Sequence, residues 1–295
     1  MFEGLSVAMV TPFRDGALDH DATARLIEHM IEGGVQGLVV SGSTGEAATC
    51  TVEERRDLWR FVKERAKGRV WVVAGTGTND TAQSITLTKM AEEIGVDGAM
   101  VVTPFYNKPT PKGQAAHFRA VANSTKLPVI LYNVPGRTGT NTRPETLALV
   151  QDVENIVAVK EASGDLDQMS QVLQKTRFTL LSGDDSLTLP CIAVGGSGII
   201  SVVGQLVPRQ MRTLTDAARE GRLDEARTLH DRLAPIFKAA FIESNPAPAK
   251  FLLCEMGILR NELRMPLLPV EPSSERIILE AARAVGVSLP TGARA

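Results

Sequence analysis

Aromatic side chains are scarce in this sequence, with Phe, Trp and Tyr making up 4% of its 295 residues. A chain with so few rings is poorly suited to bind single-stranded nucleic acid by stacking. It also lacks a basic stripe, and its net charge is −2 with a pI near 6.1. Because nucleic-acid binding usually leaves a basic footprint, we expect no nucleic acid among its partners.

Cysteine is rare as well. The three cysteines, Cys50, Cys191 and Cys254, are far apart and include no CxxC pair. Such a scattered, odd-numbered set predicts neither a disulfide framework nor a zinc site. The four histidines show no ligand spacing either, so no metal is predicted. Since the N-terminal residues also do not resemble a signal peptide, a reducing cytoplasm is the expected location.

One uncharged stretch, residues 187–207, is long enough to cross a bilayer. Pro190, the glycine-rich run 195–198 and Gly204 interrupt it, because proline and glycine disfavour a continuous helix. We therefore predict a short helix, a loop and a strand here, and no membrane partner.

Short apolar, β-branched runs alternate with longer amphipathic segments along most of the chain. Runs that are continuously apolar, rather than alternating, are typical of parallel strands covered on both faces. The predicted strands are 7–10, 37–41, 70–74, 99–102, 129–132, 156–159, 178–181 and 199–203. Helical periodicity fills the intervals, for example over 19–31, 52–66 and 81–94.

Eight strand–helix units within about 220 residues predict an α/β fold, a (β/α)₈ TIM barrel with additional C-terminal helices. An open doubly wound sheet is the alternative. It is disfavoured because Gly75-Thr76-Gly77 lacks the third glycine of the dinucleotide-binding fingerprint. We expect residues 1–222 to form the barrel and residues 223–295 to form a helical appendage packed on it.

Lys160 is the strongest candidate for a catalytic residue. It follows the apolar run 156–159, at the carboxyl end of a predicted strand, where active sites of such barrels lie. Burial disfavours the charged form of an amine, and a neutral amine attacks a ketone to give a Schiff base. The alternative is a lysine that reaches the rim or pairs with Glu161. Since neighbours along a strand point to opposite faces, we favour the nucleophile.

Two further positions offer supporting chemistry. Tyr132 ends the preceding strand, and its phenol could move protons, relayed through Ser43 or Thr44. A tyrosine that only satisfies a backbone carbonyl is the alternative. Arg137 lies in a glycine-flanked loop, where its guanidinium could take a carboxylate, although many loop arginines are merely solvated.

Six motifs follow one another in order along the chain. They are GSTGE (42–46), TPFYNKPT (103–110), YNVPGRTG (132–139), VKEASGD (159–165), SGDD (182–185) and GGSGIISV (195–202). With NPAPAK at 245–250, they resemble the dihydrodipicolinate synthase family of the N-acetylneuraminate lyase superfamily. The resemblance runs from about residue 2 to residue 270.

The resemblance implies condensation of pyruvate with L-aspartate 4-semialdehyde in lysine and diaminopimelate biosynthesis, without a cofactor. It implies that Lys160 forms the Schiff base and that Tyr132 acts as proton donor and acceptor. The resemblance further implies that Ser43 and Tyr106 form a proton relay with Tyr132. It places Thr44 and Ile200 at pyruvate, with Gly183 nearby. It places Arg137 at the carboxylate of the second substrate.

The resemblance also implies a homo-oligomer, because Tyr106 would reach across a tight dimer interface; a dimer of dimers is usual in the family. Ser43 stands where synthases usually carry threonine, and GSTGE also occurs in sialic acid lyases. The family's lysine-inhibition site corresponds here to Gln83, Phe105 and Arg55. Because a carboxylate and a phenol are lost there, we expect lysine inhibition to be weak or absent.

Two alternatives remain open. A sialic acid or ketodeoxysugar lyase would keep the Schiff base but would need hydroxyl partners in place of Arg137. A catalytically silent binding protein is the other alternative, against which Lys160, Tyr132 and Tyr106 argue because a silent protein need not retain a relay.

Overall fold

The computed structural model describes residues 1–289. Eight parallel strands close into a barrel in which each strand pairs with its sequence neighbour and the last pairs with the first. They are β1 (Gly4–Ala8), β2 (Gly37–Val40), β3 (Trp71–Gly75), β4 (Gly98–Val102), β5 (Val129–Asn133), β6 (Ile156–Glu161), β7 (Thr179–Ser182) and β8 (Gly198–Ser201). A small hairpin, Phe13–Arg14 with Ala17–Leu18, follows β1.

Helices surround the strands. They are α1 (His20–Glu32), α2 (Val52–Ala66), α3 (Thr81–Ile94), α4 (Pro111–Ala122), α5 (Pro135–Thr138), α6 (Pro144–Ala148), α7 (Leu166–Lys175), α8 (Thr188–Ala193), α9 (Pro208–Arg219), α10 (Leu223–Ala239), α11 (Ala247–Glu255) and α12 (Pro272–Ala284). Three 3₁₀ turns, Ala47–Thr49, Asp185–Leu187 and Val203–Gln205, lie in loops after strands. The predicted (β/α)₈ barrel with additional C-terminal helices is confirmed.

Local signals placed most of these elements. The side chain of Thr51 accepts from the N–H of Glu54, whose carboxylate accepts from the N–H of Thr51, so α2 starts with a capping box. Asp80 caps α3 in a similar way by accepting from Ala82. Both helices begin and end where their periodicity predicted.

The first strand differs from its prediction. The run 7–10 was expected to be the strand, whereas the strand is Gly4–Ala8. Residues 4–13 are all buried, so hydrophobicity does not mark where the strand ends. The pairing of β1 with β8 and β2 fixes its bounds instead.

Apolar residues form two layers, as the alternation of side chains along a strand requires. Inside the barrel lies a small cluster that includes Val39, Ile130, Ala158 and Ile200. A much larger layer fills the space between the strands and the helices. Side chains therefore fill the barrel interior, as is usual for this fold.

The C-terminal helices pack on the barrel: α10 contacts α9 and α12, and α11 also contacts α12. The division into residues 1–222 and 223–295 stays a prediction, and the last residues of that second range, 290–295, lie outside the described part of the chain. The uncharged stretch 187–207 divides into α8, a loop and β8. In the described residues, no helix has the length and hydrophobicity to cross a membrane.

Candidate active site

Lys160 and Tyr132 face each other near the carboxyl ends of two adjacent strands. The β5–β6 register pairs Tyr132 with Lys160, and both side chains are buried, at 5% and 4% exposure. The Lys160 Nζ lies 4.3 Å from the centroid of the tyrosine ring. An amine and a phenol are thus held together out of bulk water, which is the arrangement that amine attack and proton transfer require.

A cavity of about 220 Å³ opens beside Tyr132, and Lys160 is not among the residues that line it. Ser43, Tyr132 and Arg137 all line it, and so do Arg55 and Phe105. A hydroxyl from the β2 loop, a phenol from β5 and a guanidinium from the β5 loop therefore face one small space. Its size fits a small keto acid better than a large ligand.

Thr44 and Arg137 meet at a residue from outside the barrel. The side chain of Asn245, between α10 and α11, donates from Nδ2 to the Thr44 Oγ1 at 2.8 Å. The Arg137 Nη2 donates to the backbone oxygen of Asn245 at 3.1 Å. The predicted substrate-binding residues of two loops are thereby joined by a third segment.

Ile200 and Gly183 lie on the other side of the lysine. Ile200 is fully buried in the same interior cluster as Tyr132. At Gly183 an added Cβ would lie 2.6 Å from the Cβ of Ala162 and 3.2 Å from the Cε of Lys160. A side chain here would clash with Ala162 and press against Lys160, so this position requires glycine.

Tyr106 is not brought into this cavity. Its side chain is 88% exposed, although its backbone N–H reaches the oxygen of Thr138. The three hydroxyls of the expected relay are therefore not assembled within one chain. Gln83 is also exposed and does not line the cavity, whereas Arg55 lines it and donates to the oxygen of Ala47.

Two buried carboxylates, those of Glu161 and Asp184, lie near Lys160 and differ in their hydrogen-bond partners. Glu161 does not pair with Lys160; it accepts from Asn133, Gln168 and the N–H of Ser163. Burial raises the pKa of Glu161 above its ordinary value, and those hydrogen bonds offset part of the rise. Burial likewise raises the pKa of Asp184, and the nearby charge of Lys160 offsets part of that rise. The Asp184 Oδ2 is buried and has no hydrogen-bond partner among residues 1–289.

Backbone strain is concentrated in the loops at this end of the barrel. Ser41 and Glu46, after β2, and Tyr106 and Lys108, after β4, have positive φ angles between 44° and 72°. Residues other than glycine adopt this conformation only when the surroundings hold them there. Glu46 is held by an ion pair with Lys250 and by the N–H of Arg264.

Sequence reasoning assigned no role to Asn245, Lys250 or Asp184, although each lay within a quoted motif. Lys250 carried a usable signal: a lysine in the apolar run 247–253 must find a partner, because an unpaired buried charge is very costly. Across residues 1–289, no group of three or more His, Cys, Asp and Glu side chains is placed to hold a metal ion.

Fold and site together define a (β/α)₈ barrel protein with a buried lysine–tyrosine pair at the carboxyl ends of its strands. The sequence profile of the dihydrodipicolinate synthetase family matches residues 1–284. The chain belongs to this family, and the predicted family membership is confirmed.

Individual relatives agree over nearly the full length. A 4-hydroxy-tetrahydrodipicolinate synthase of Maridesulfovibrio salexigens is 46% identical over 289 residues, covering 97% of this chain and 99% of the relative. The crystal structure of dihydrodipicolinate synthase from Aquifex aeolicus superposes with a TM-score of 0.96 at 41% identity, over 98% and 100% of the two chains. A structure described as the first monomeric dihydrodipicolinate synthase variant gives 0.96 at 39% identity, over 97% and 98%.

Proposed function

We propose that this chain is a 4-hydroxy-tetrahydrodipicolinate synthase, which condenses pyruvate with L-aspartate 4-semialdehyde in lysine and diaminopimelate biosynthesis. The observation that carries the proposal is the buried pair of Lys160 and Tyr132, whose tyrosine lines a cavity together with Arg137. The name carried by the Maridesulfovibrio relative, 46% identical over nearly the whole chain, supports the choice of reaction.

Lys160 starts the reaction in this proposal. Its amine attacks the keto carbon of pyruvate, and loss of water, with a proton delivered through Tyr132, leaves a protonated imine. The imine withdraws electrons, so the methyl carbon releases a proton and becomes an enamine. The enamine carbon bonds to the aldehyde carbon of the second substrate, whose oxygen takes a proton. The amine of that substrate then displaces Lys160 and closes the ring.

Tyr132 moves the protons of these steps, since its ring lies against the amine that changes its bonding. Thr44 and Ile200 bind the pyruvate part, with Gly183 beside the lysine. Arg137 binds the carboxylate of the semialdehyde, because a guanidinium fork matches a carboxylate in shape and charge. No step needs a cofactor.

Tyr106 completes the relay from a second copy of the chain. Its exposed ring lies outside the cavity of its own chain, while Ser43 and Tyr132 line that cavity. We therefore propose a homo-oligomer of at least two copies, and a dimer of dimers as its full form.

Two smaller predictions complete the proposal. The protein acts in the cytoplasm, where thiols such as Cys50, Cys191 and Cys254 remain unpaired, as they are here. Lysine inhibits it weakly or not at all, because Gln83 and Phe105 supply neither a carboxylate nor a phenol. Half-maximal inhibition by submillimolar lysine would contradict that expectation.

The alternative chemistry is cleavage of N-acetylneuraminate or a 2-keto-3-deoxy sugar acid by the same Lys160 imine. Arg137 at the cavity favours a substrate with a second carboxylate. A silent binding protein would need neither a buried lysine nor a tyrosine beside it.

The test compares pyruvate-dependent consumption of aspartate 4-semialdehyde with cleavage of the two sugar acids. We expect a far higher rate with the semialdehyde, and its loss in Arg137→Ala. Arg143→Ala is the matched control, because Arg143 is exposed and does not line the cavity. Cleavage of a sugar acid with no turnover of the semialdehyde would show that the second substrate is wrong, while leaving the imine chemistry intact.

A further inference from the structure

Asn245 is the residue that joins the two loops assigned to substrate binding. It is 4% exposed and lies in the connection between α10 and α11, outside the eight strand–helix units. Its side-chain amide donates to the Thr44 hydroxyl at 2.8 Å, and its backbone oxygen accepts from Arg137 at 3.1 Å. One buried residue therefore contacts the sites proposed for both carboxylates.

The direction of the first hydrogen bond has a chemical consequence. A threonine hydroxyl has one hydrogen to donate and two lone pairs, whereas an amide nitrogen can only donate. Because Thr44 accepts from Asn245, its own hydrogen is left for another acceptor. A carboxylate in the site is such an acceptor, and hydrogen bonds to charged groups are the stronger kind.

The segment that carries Asn245 is fixed at a second point. Lys250, fully buried on α11, forms an ion pair with Glu46 and donates to the backbone oxygen of Glu262 at 2.7 Å. Residues 245 and 250 are thus held to residues 44 and 46 of the β2 loop. The amide of Asn245 reaches Thr44 from a rigid support, which is what precise orientation of a hydroxyl needs.

The Asn245 Oδ1 is buried and has no hydrogen-bond partner within residues 1–289. A buried acceptor without a partner is costly, so packing alone does not account for an asparagine at this position.

We propose that Asn245 is a positioning residue that holds the Thr44 hydroxyl as a donor toward the carboxylate of pyruvate. It also supports Arg137 through its backbone oxygen. This inference rests on the proposed function, since it concerns the same substrates and the same site.

The first variant is Asn245→Ala, which removes the amide and keeps the backbone oxygen that Arg137 uses. We expect the pyruvate concentration for half-maximal borohydride trapping to rise about tenfold, as loss of one oriented hydrogen bond predicts. The KM for the semialdehyde should change much less, because the contact with Arg137 remains. A role in stability alone would lower the melting temperature and leave both concentrations unchanged.

The second variant is Asn245→Asp, which keeps the size of the side chain but replaces a donor with an acceptor. Thr44 would then donate its hydrogen to the new carboxylate, turned away from pyruvate, and the added negative charge would repel the substrate. Pyruvate binding should be weaker than in Asn245→Ala. A role based on shape alone predicts the opposite order of the two variants.

A double substitution tests whether Asn245 acts through Thr44. In a Thr44→Val background, Asn245→Ala should cause no further rise in the pyruvate requirement. Asn155→Ala is the control, because the amide of Asn155 bonds the backbone oxygens of Ala122, Thr125 and Leu127 and does not line the cavity. It should lower stability without changing the pyruvate requirement.

Unchanged trapping in both Asn245 variants, with normal trapping in the unaltered protein, would overturn this inference and leave the proposed function standing. Failure of the unaltered protein to form any adduct with pyruvate would overturn the proposed function itself, and the inference with it.

Discussion

The amine of Lys160 lies 4.3 Å from the ring centroid of Tyr132, because the two residues are paired across neighbouring parallel strands. Both side chains are almost completely buried. The ring limits where the amine can move, and the phenol is held beside the group that must gain and lose protons. Most of the proposed chemistry depends on this one contact.

The substitution Tyr132→Phe removes the hydroxyl and keeps the ring, so it distinguishes proton transfer from packing. The ring still packs against Lys160, so the melting temperature should change little. We expect kcat to fall by about 10²- to 10⁴-fold, which is the usual contribution of a positioned acid–base group. Steady-state rates with both substrates, beside a thermal melt, measure this. A kcat within threefold of the original would show that Tyr132 moves no proton in the slow step.

Tyr106→Ala tests the proposed contribution from a second chain. The exposed ring should become covered on association, so its removal should weaken the oligomer and lower kcat. Light scattering over a concentration series, combined with activity, measures both effects. Ile277→Ala, at another exposed apolar side chain, is the control and should alter neither. A fully active monomer of the unaltered chain would contradict the proposal.

Removal of one partner of the buried Lys250–Glu46 ion pair should destabilise the fold, because the other charge is then left buried without a partner. Burial lowers the pKa of Lys250, and the adjacent Glu46 raises it. Lys250→Met leaves the Glu46 charge buried and unpaired, which should cost about 3–5 kcal/mol of unfolding free energy. Lys250→Met combined with Glu46→Leu should cost less, since no lone charge remains. Urea unfolding measures both, and equal losses would contradict this account.

His117 should make the fold sensitive to acid. Burial lowers the pKa of His117 to about 4, whereas the reference value is 6.5. Between these values the unfolded chain binds a proton that the folded chain does not. Stability therefore falls as the pH drops from 6.5 towards 4, by up to about 1.4 kcal/mol per pH unit from this residue.

In the unaltered protein the Thr81 hydroxyl forms a hydrogen bond with the His117 Nδ1 at 2.9 Å. The variant His117→Gln keeps a polar partner for Thr81. Its unfolding free energy should depend less steeply on pH over this range and should run parallel to the original above pH 7. Denaturant melts at several pH values measure the slopes. Identical slopes would show that His117 does not titrate on unfolding.

The barrel and its main pair could be predicted from the sequence because they depend on local and periodic signals. Apolar runs located all eight strands, and Lys160 and Tyr132 end consecutive ones. The contact of Asn245 with Thr44 could not be predicted in this way. It joins residues 201 positions apart through irregular loops, and no periodicity describes such a path. Tyr106 has a left-handed backbone angle, which no propensity indicates, and its exposed ring could not be predicted either.

The most direct test of the central claim is borohydride reduction in the presence of pyruvate, followed by mass spectrometry of the digested protein. We predict one adduct, on the peptide that contains Lys160, and none without pyruvate. Lys160→Arg should abolish it, while Lys89→Arg, at an exposed lysine on α3, should retain it. An adduct on a different lysine, or none with the unaltered protein, would contradict the assignment of Lys160 as the nucleophile.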